Sequence, residues 1–196
     1  MIKCILFDLG GVLVEFSDEE YLGYLAKVSG NNKRKTEKMV EFWWRRLFLG
    51  MIHIKFFEQR IAKIFGIDKS QVQWVEFYEK RVRLNKDMIT LAKKLRKNYT
   101  VAFLSDIDFS RYDIALRLLD LKWFDYDFAS CYIRKKKPDP EVYRYVLRKM
   151  KLRADEVVFI DNKWENVLGA RSVGIKSLLF RNRKDLLARL KKLGIA

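Results

Sequence analysis

From Asn85 onward, the sequence alternates between short apolar runs and segments whose apolar residues recur at helical spacing. With one earlier run at the N-terminus, the predicted strands are Lys3–Asp8, Tyr99–Leu104, Tyr126–Tyr132, Val157–Ile160 and Ile175–Phe180. The predicted helices that separate them are Met88–Leu95, Ser110–Leu119, Pro140–Met150, Glu165–Val173 and Lys184–Leu193. Apolar strands joined by helices are typical of a parallel sheet that is covered on both faces. The pattern therefore predicts an α/β fold with a doubly wound parallel sheet.

Residues 15–83 follow a different pattern, because their apolar residues recur at helical spacing with no convincing strand between them. Glycines at positions 30, 50 and 66 separate the predicted helices. We therefore predict two domains. Residues 1–14 and 84–196 form the α/β core, and residues 15–83 form a small all-helical domain inserted after the first strand.

Charge and cysteine content restrict the classes of partner. The chain carries a formal net charge of +16, which attracts anions, but the basic residues are spread over several helices. No nucleic-acid-binding motif accompanies them, so a specific nucleic-acid partner is not expected. No apolar run reaches the roughly 18 residues that a membrane-spanning helix needs. Cys4 and Cys131 provide no disulfide framework, which favours the reducing cytoplasm.

Residues suited to chemistry follow four of the predicted strands. In a doubly wound sheet, the carboxyl ends of the strands meet at one crevice. The residues predicted to meet there are Asp8, Ser105, Asp106, Lys137, Asp161 and Asn162. Carboxylates, a hydroxyl and an ammonium around one point suit phosphoryl transfer, in which a carboxylate attacks phosphorus and cations neutralise the oxygens. The single histidine, His53, lies between two isoleucines and is interpreted as structural, which disfavours mechanisms that use histidine.

Four motifs occur in the order of the conserved motifs of the haloacid dehalogenase (HAD) superfamily. They are Phe7-Asp8-Leu9-Gly10-Gly11-Val12-Leu13, Leu104-Ser105-Asp106, Lys137-Pro138-Asp139-Pro140 and Val158-Phe159-Ile160-Asp161-Asn162. The chain resembles this superfamily along essentially its whole length, with a helical cap inserted after the first motif. The resemblance implies a Rossmann-like core and a phosphatase that uses Mg²⁺ and acts on a small phosphorylated substrate.

The resemblance also implies roles for single residues. Asp8 would be the catalytic nucleophile, Ser105 and Lys137 would bind and neutralise the transferring phosphoryl group, and Asp106 would lie beside the substrate. The metal ligands would be Asp8, Asp161, Asn162 and the backbone carbonyl of Gly10.

Three positions depart from the pattern of most phosphatases of the superfamily. Gly10 replaces an aspartate that serves as general acid and base, so we expect slower turnover or a substrate with a good leaving group. Asn162 replaces a common acidic residue and predicts weaker metal binding. Asp106 replaces an asparagine and adds a carboxylate that repels a bound phosphate unless it is protonated or turned away. Asp106 and Glu15 are candidates to supply part of the missing proton transfer.

Two other functions remain open from the sequence alone. The first is a 2-haloacid dehalogenase, in which Asp8 displaces halide without a metal. Such enzymes resemble this chain but typically carry an aromatic residue at the position of Gly10 and an aspartate near Asn166. The second is a weakly active binding protein, which the substitutions at Gly10 and Asn162 and the charge of +16 would allow.

Overall fold

The structure, a computed structural model, describes residues 1–16, 18–119 and 121–195. Its strands are β1 (Cys4–Phe7), β2 (Val14–Glu15), β3 (Arg83–Leu84), β4 (Thr100–Ser105), β5 (Tyr126–Ala129), β6 (Val157–Asp161) and β7 (Lys176–Leu179). Its α-helices are α1 (Asp18–Val28), α2 (Lys33–Phe48), α3 (Ile54–Phe65), α4 (Trp74–Arg81), α5 (Lys86–Leu95), α6 (Phe109–Leu119), α7 (Ser130–Ile133), α8 (Pro140–Met150), α9 (Trp164–Arg171) and α10 (Arg183–Lys192).

Five of these strands form one sheet in the order β5-β4-β1-β6-β7, and every neighbouring pair in it is parallel. The chain runs from β1 outward through β4 to β5, and then returns to the other side of β1 for β6 and β7. The strand order therefore reverses around β1. The carboxyl ends of β1, β4 and β6 flank this switch point, where open α/β sheets bind their ligands.

Alternate residues of the central strand point to opposite faces of the sheet, and both faces are buried. On β1, Ile5 and Phe7 join an apolar cluster that includes residues of α5, α6 and α10. Cys4 and Leu6 join a second cluster, with residues of α8 and α9. Helices thus cover both sides, and the predicted α/β fold with a doubly wound parallel sheet is confirmed.

Helices α1 to α4 enclose an apolar cluster of their own, which includes Tyr21, Leu47, Phe57 and Trp74. The chain leaves the sheet and returns to it along a two-stranded antiparallel ladder, in which Val14 of β2 pairs with Leu84 of β3. This ladder lies at the boundary expected between the two domains. The division into a core and a cap domain stays a prediction.

One predicted strand is shorter than expected. Residues 126–132 were predicted to form a continuous strand, but β5 ends at Ala129 and the chain turns into α7. The Ser130 side chain explains the turn. Its Oγ accepts a hydrogen bond from the N–H of Ile107 at 2.9 Å and donates one to the carbonyl of Phe48 at 2.6 Å. These bonds hold the end of β5 against the segment that follows β4 and against the end of α2.

Other expectations concern single residues. His53 caps the N-terminus of α3, where its Nδ1 accepts a hydrogen bond from the N–H of Lys55, so its structural role is confirmed. Cys4 and Cys131 are both unpaired and buried. Among the residues that the structure describes, no helix is both long enough and apolar enough to cross a membrane.

Candidate active site

The predicted site residues come together at the carboxyl edge of the sheet. Asp8 follows β1 directly, and its backbone N–H donates to the carbonyl of Ile160 on β6, so the two strand ends are held side by side. A cavity of about 980 Å³ opens at this edge. The predicted site residues that line it are Asp8, Gly10, Ser105, Asp106, Lys137 and Asn162. The remaining one, Asp161, is fully buried just beneath them.

Lys137 links two buried carboxylates. Its Nζ lies 2.8 Å from Asp8 Oδ1 and 2.7 Å from Asp161 Oδ2. All three side chains are at least nine-tenths buried. In such a setting each charge depends on the others, because an isolated buried ion is strongly disfavoured.

Burial and neighbouring charges shift the protonation of this group of residues. Desolvation, together with the charges of Asp161 and Asp106, raises the pKa of Asp8 to about 7, although Lys137 acts in the opposite direction. Burial alone would lower the pKa of Lys137, but the attraction of Asp161, Asp8 and Asp106 raises that pKa above its ordinary value. Lys137 therefore stays an ammonium at neutral pH.

The carboxylate of Asp8 is held on one side. Its Oδ1 accepts a hydrogen bond from the N–H of Leu9 at 2.7 Å. The same oxygen contacts the ammonium of Lys137. Both of these contacts within the described residues use Oδ1. Oδ2 is therefore the oxygen of Asp8 that remains for a ligand in the cavity.

Asn166 belongs to the site although the sequence did not assign it there. Its Nδ2 lies 3.1 Å from Oδ1 and 3.0 Å from Oδ2 of Asp161, and the N–H of Lys163 donates to Oδ1 at 2.7 Å. Asn166 is a buried polar residue on α9, next to the apolar Val167. The sequence signal for a role in the site was the position of Asn166, five residues after Asp161 on the buried face of the next helix.

The glycine turn after Asp8 brings a second chain segment close. Gly11 has a positive φ of 75°, and a Cβ at this position would lie 2.1 Å from Nδ2 of Asn162. Gly11 therefore gives the Asn162 side chain the space that it occupies. At Gly10, by contrast, a Cβ would meet no atom within 4 Å, so the turn has room for a side chain there.

Asp106 is turned toward the loop that carries Lys137. Its Oδ1 accepts a hydrogen bond from the N–H of Lys137 at 3.0 Å, and its Oδ2 lies 3.6 Å from Nζ of Lys136. Burial raises the pKa of Asp106, while Lys137 and Lys136 oppose the rise. The Asp106 carboxylate is thus held by the loop that carries Lys136 and Lys137. The positive charge of these two lysines offsets part of the repulsion expected between Asp106 and a bound phosphate.

Side chains of α2 and α6 complete the cavity. Trp44 and Phe48 of α2 line it, whereas their neighbours Phe42 and Trp43 do not. The sequence placed aromatic residues in this segment but did not indicate which of them face the site. Arg111 of α6 also lines the cavity and forms ion pairs with Asp108 and with Asp18 at the start of α1.

Sequence comparison finds relatives for most of the chain. A family model for haloacid dehalogenase-like hydrolases matches residues 2–174. The drimenol cyclase drtB of Aspergillus calidoustus is 26% identical over 195 residues, which cover 95% of this chain and 35% of that protein. The sesquiterpene phosphatase astK of Aspergillus oryzae is 42% identical over 65 residues, which cover 32% of this chain and 33% of that protein. The chain thus spans about a third of the length of these relatives.

Structural comparison supports the same fold. A HAD family enzyme from Bacteroides thetaiotaomicron, solved in complex with magnesium and inorganic phosphate, superimposes with a TM-score of 0.78 at 21% identity. The superposition covers 95% of this chain and 99% of that chain, and at this identity it shows the fold alone. Together with the family model over residues 2–174, it establishes that the chain belongs to the haloacid dehalogenase-like hydrolases.

Proposed function

We propose that the chain is a magnesium-dependent phosphatase, which hydrolyses a small phosphorylated metabolite through an aspartyl-phosphate formed on Asp8. The observation that carries the proposal is the position of Lys137, whose ammonium lies within 2.8 Å of both Asp8 and Asp161 at the floor of the cavity. A cation beside a nucleophilic carboxylate can neutralise the negative charge that a phosphoryl group brings. Residues 15–83 act in this proposal as a cap over the bound substrate.

The reaction takes place in two steps. In the first, Oδ2 of Asp8 attacks phosphorus, the bond from phosphorus to the ester oxygen breaks, and the leaving alkoxide takes up a proton. In the second, water attacks the same phosphorus, and inorganic phosphate and the free carboxylate of Asp8 are released. Lys137 holds the charge of the phosphoryl oxygens, and the hydroxyl of Ser105, at the end of β4, donates a hydrogen bond to one of them.

The donor groups present suit magnesium. Mg²⁺ prefers oxygen ligands and is usually bound by one or two carboxylates together with water and substrate phosphate. In this chain, the ligands would be the carboxylates of Asp8 and Asp161, the carbonyl of Gly10 and the amide oxygen of Asn162. The described residues contain no group of three or more His, Cys, Asp or Glu side chains suited to a metal, so the fit rests on two carboxylates. When bound, the ion would supply positive charge that neutralises the phosphoryl oxygens.

Two comparisons agree with this chemistry. One relative is named as a sesquiterpene phosphatase, and one structural neighbour was solved with magnesium and inorganic phosphate. We also propose a cytoplasmic location, because Cys4 and Cys131 are unpaired and buried.

The proton that the leaving group needs has two candidate sources. Asp106 and Glu15 both line the cavity. Asp106 is engaged by Lys136 and Lys137, whereas Glu15 has an exposed side chain at the end of β2. Glu15 is therefore the better placed of the two to exchange protons with solvent.

A panel of phosphate monoesters, assayed with magnesium and with chelator, tests the proposal. The native protein should release phosphate in magnesium, Asp8→Asn should not, and chelator should abolish the reaction. Equal rates in the native protein and Asp8→Asn would contradict the assignment of the nucleophile. Halide release from a 2-haloacid in chelator would support dehalogenase chemistry instead, and no turnover of any ester would support a binding protein.

A further inference from the structure

Two buried N–H groups beside the cavity have no hydrogen-bond acceptor among the described residues. They are Nε1 of Trp44 and Nη2 of Arg111. Both residues line the cavity, and their exposed fractions are only 9% and 4%. A buried N–H without an acceptor is costly and uncommon in folded proteins, so two beside one cavity call for an explanation.

The two side chains border the same pair of aromatic rings. The guanidinium carbon of Arg111 lies 4.7 Å from the ring centroid of Phe48 and 4.6 Å from that of Trp74. The Trp44 ring lies 5.7 Å from Phe48 and 5.5 Å from Trp74. Both donors therefore lie against one cluster of aromatic rings, and Phe48 of that cluster also lines the cavity.

The neighbouring indole shows that the fold can satisfy such a group. Nε1 of Trp74 donates to Oδ2 of Asp108 at 3.0 Å. Arg111 is also held at its other nitrogens, since Nε lies 2.8 Å from Asp108 Oδ2 and Nη1 lies 2.7 Å from Asp18 Oδ1. Only the nitrogen Nη2 of this fixed guanidinium lacks an acceptor among the described residues.

The local charge decides what kind of acceptor suits these donors. Arg111 already faces two carboxylates, Asp18 and Asp108, and Lys163 Nζ lies 3.9 Å from Asp18, so the positive and negative charges of this group balance. A second anion, such as the carboxylate of a substrate, would find no uncompensated positive charge in this group and would face the carboxylate of Asp18, which is about a quarter exposed. A neutral hydroxyl oxygen accepts a hydrogen bond without that repulsion.

Resting on the phosphatase function proposed above, we propose that Trp44 and Arg111 form a subsite for hydroxyl groups of the leaving group. The substrate is then the phosphate monoester of a polyol or sugar. Its phosphoryl group lies at Asp8, and its hydroxyl oxygens accept from the two N–H groups. Both nitrogens are buried in this structure, so neighbouring side chains move aside when the leaving group binds. An ester without hydroxyls leaves both donors unpaired and is rejected for that reason.

Two esters of equal chain length test the subsite. Sorbitol 6-phosphate and hexyl phosphate both carry six carbons, and they differ in the hydroxyl groups of the leaving group. We expect the native protein to prefer sorbitol 6-phosphate by at least about tenfold in kcat/KM, as one good hydrogen bond provides. Trp44→Phe should reduce that preference about fivefold, because it removes Nε1–H and keeps an aromatic ring. The change should come from a lower kcat/KM for sorbitol 6-phosphate, with kcat/KM for hexyl phosphate unchanged.

Trp43→Phe is the matched control. Trp43 is the neighbouring tryptophan of α2 and does not line the cavity, so its substitution should leave the preference unchanged. Thermal unfolding of both variants serves as a check on folding, and Trp44→Phe should not lower Tm, because it removes an unpaired buried donor.

The outcomes separate this inference from the proposed function. Phosphate release that depends on Asp8 but is equal for the two esters would overturn the subsite and leave the phosphatase function intact. A preference that Trp44→Phe does not change would also overturn the role of Trp44. No phosphate release from either ester or from p-nitrophenyl phosphate would contradict the phosphatase function, and the subsite would fall with it.

Discussion

Asn166 donates its side-chain amide toward both carboxylate oxygens of Asp161, at 3.1 and 3.0 Å, and thereby fixes the plane of a fully buried acid. Asp161 in turn contacts Lys137, which contacts Asp8. A change at Asn166 therefore reaches the proposed nucleophile through two intervening residues, Asp161 and Lys137.

We predict that Asn166→Ala raises the magnesium concentration needed for half-maximal activity by about 10- to 100-fold, as loss of a group that orients a metal ligand commonly does. Magnesium titration of phosphate release measures the effect. Asn162→Ala is the comparison, because Asn162 is exposed and belongs to the predicted ligands. A larger effect at Asn162 than at Asn166 would mean that direct coordination by the amide matters more than the orientation of Asp161.

Removal of the Lys137 ammonium should affect both activity and stability. Lys137→Met leaves Asp8 and Asp161 buried without their shared cation, and we expect a loss of about 3 kcal/mol in the free energy of unfolding. Activity should fall at least about 100-fold, because no other buried cation contacts Asp8 among the described residues.

Lys136→Met is the matched control for this prediction. Lys136 is the preceding lysine, and its Nζ contacts Asp106 at 3.6 Å rather than the two central aspartates. Urea unfolding and phosphate release should show small changes for this variant. Similar losses in both variants would show that the loop as a whole, rather than the Lys137 ammonium, supports the site.

Insertion of a carboxylate at Gly10 should accelerate the reaction. The backbone at Gly10 is not in the left-handed region, and a Cβ there meets no atom within 4 Å. Gly10→Asp would supply the general acid and base that most phosphatases of this superfamily carry, and we expect kcat to rise about 100-fold. Steady-state kinetics of native protein and variant provide the measurement.

Gly11→Asp tests whether that gain depends on position. Gly11 has a positive φ of 75°, and a side chain there meets Asn162. This variant should be destabilised by about 1–2 kcal/mol and should gain no activity. If Gly10→Asp were as slow as Gly11→Asp, the absence of a general acid at position 10 would not limit turnover.

The stability of the chain should depend on the ionisation of Glu156. This buried carboxylate contacts Lys3 Nζ at 2.8 Å and accepts a hydrogen bond from the N–H of Arg153, and both interactions hold its pKa below the ordinary value of 4.5. Because the pKa is lower in the folded state, the carboxylate stabilises the fold above pH 4.5, and this contribution is lost as the pH falls through the folded-state pKa.

Glu156→Gln should therefore lower Tm at neutral pH, and the difference from the native protein should shrink in acid. Thermal unfolding across the acid range measures it. Glu141→Gln, which removes an exposed partner of Arg144, should change Tm little at any pH. A difference between native protein and Glu156→Gln that grows in acid would contradict the sign of the pKa shift.

The sequence predicted those parts of the structure that depend on neighbours along the chain. Apolar runs marked the strands, and Asp8 could be placed at a strand end because Gly10 and Gly11 follow it. The position of Lys137 near Asp8 followed from the order of the motifs, since parallel strand ends meet at one edge.

Contacts between distant segments could not be read in the same way. Arg111 and Asp18 lie 93 positions apart, and nothing local to either residue reveals that they pair. The same holds for Trp44, whose nitrogen has no acceptor among the described residues because of the way α2 packs against its surroundings. The end of β5 was misjudged for this reason too, because the turn at Ser130 depends on Phe48, 82 positions away.

The ladder between β2 and β3 has a consequence for how such a protein can change over evolution. Val14 and Leu84 are direct partners, so the chain leaves and re-enters the core at one point. The register of the five-stranded sheet is then independent of how many residues lie between them. We therefore expect that helices can be gained, lost or exchanged in this interval while the strand ends that hold Asp8 and Asp161 keep their positions.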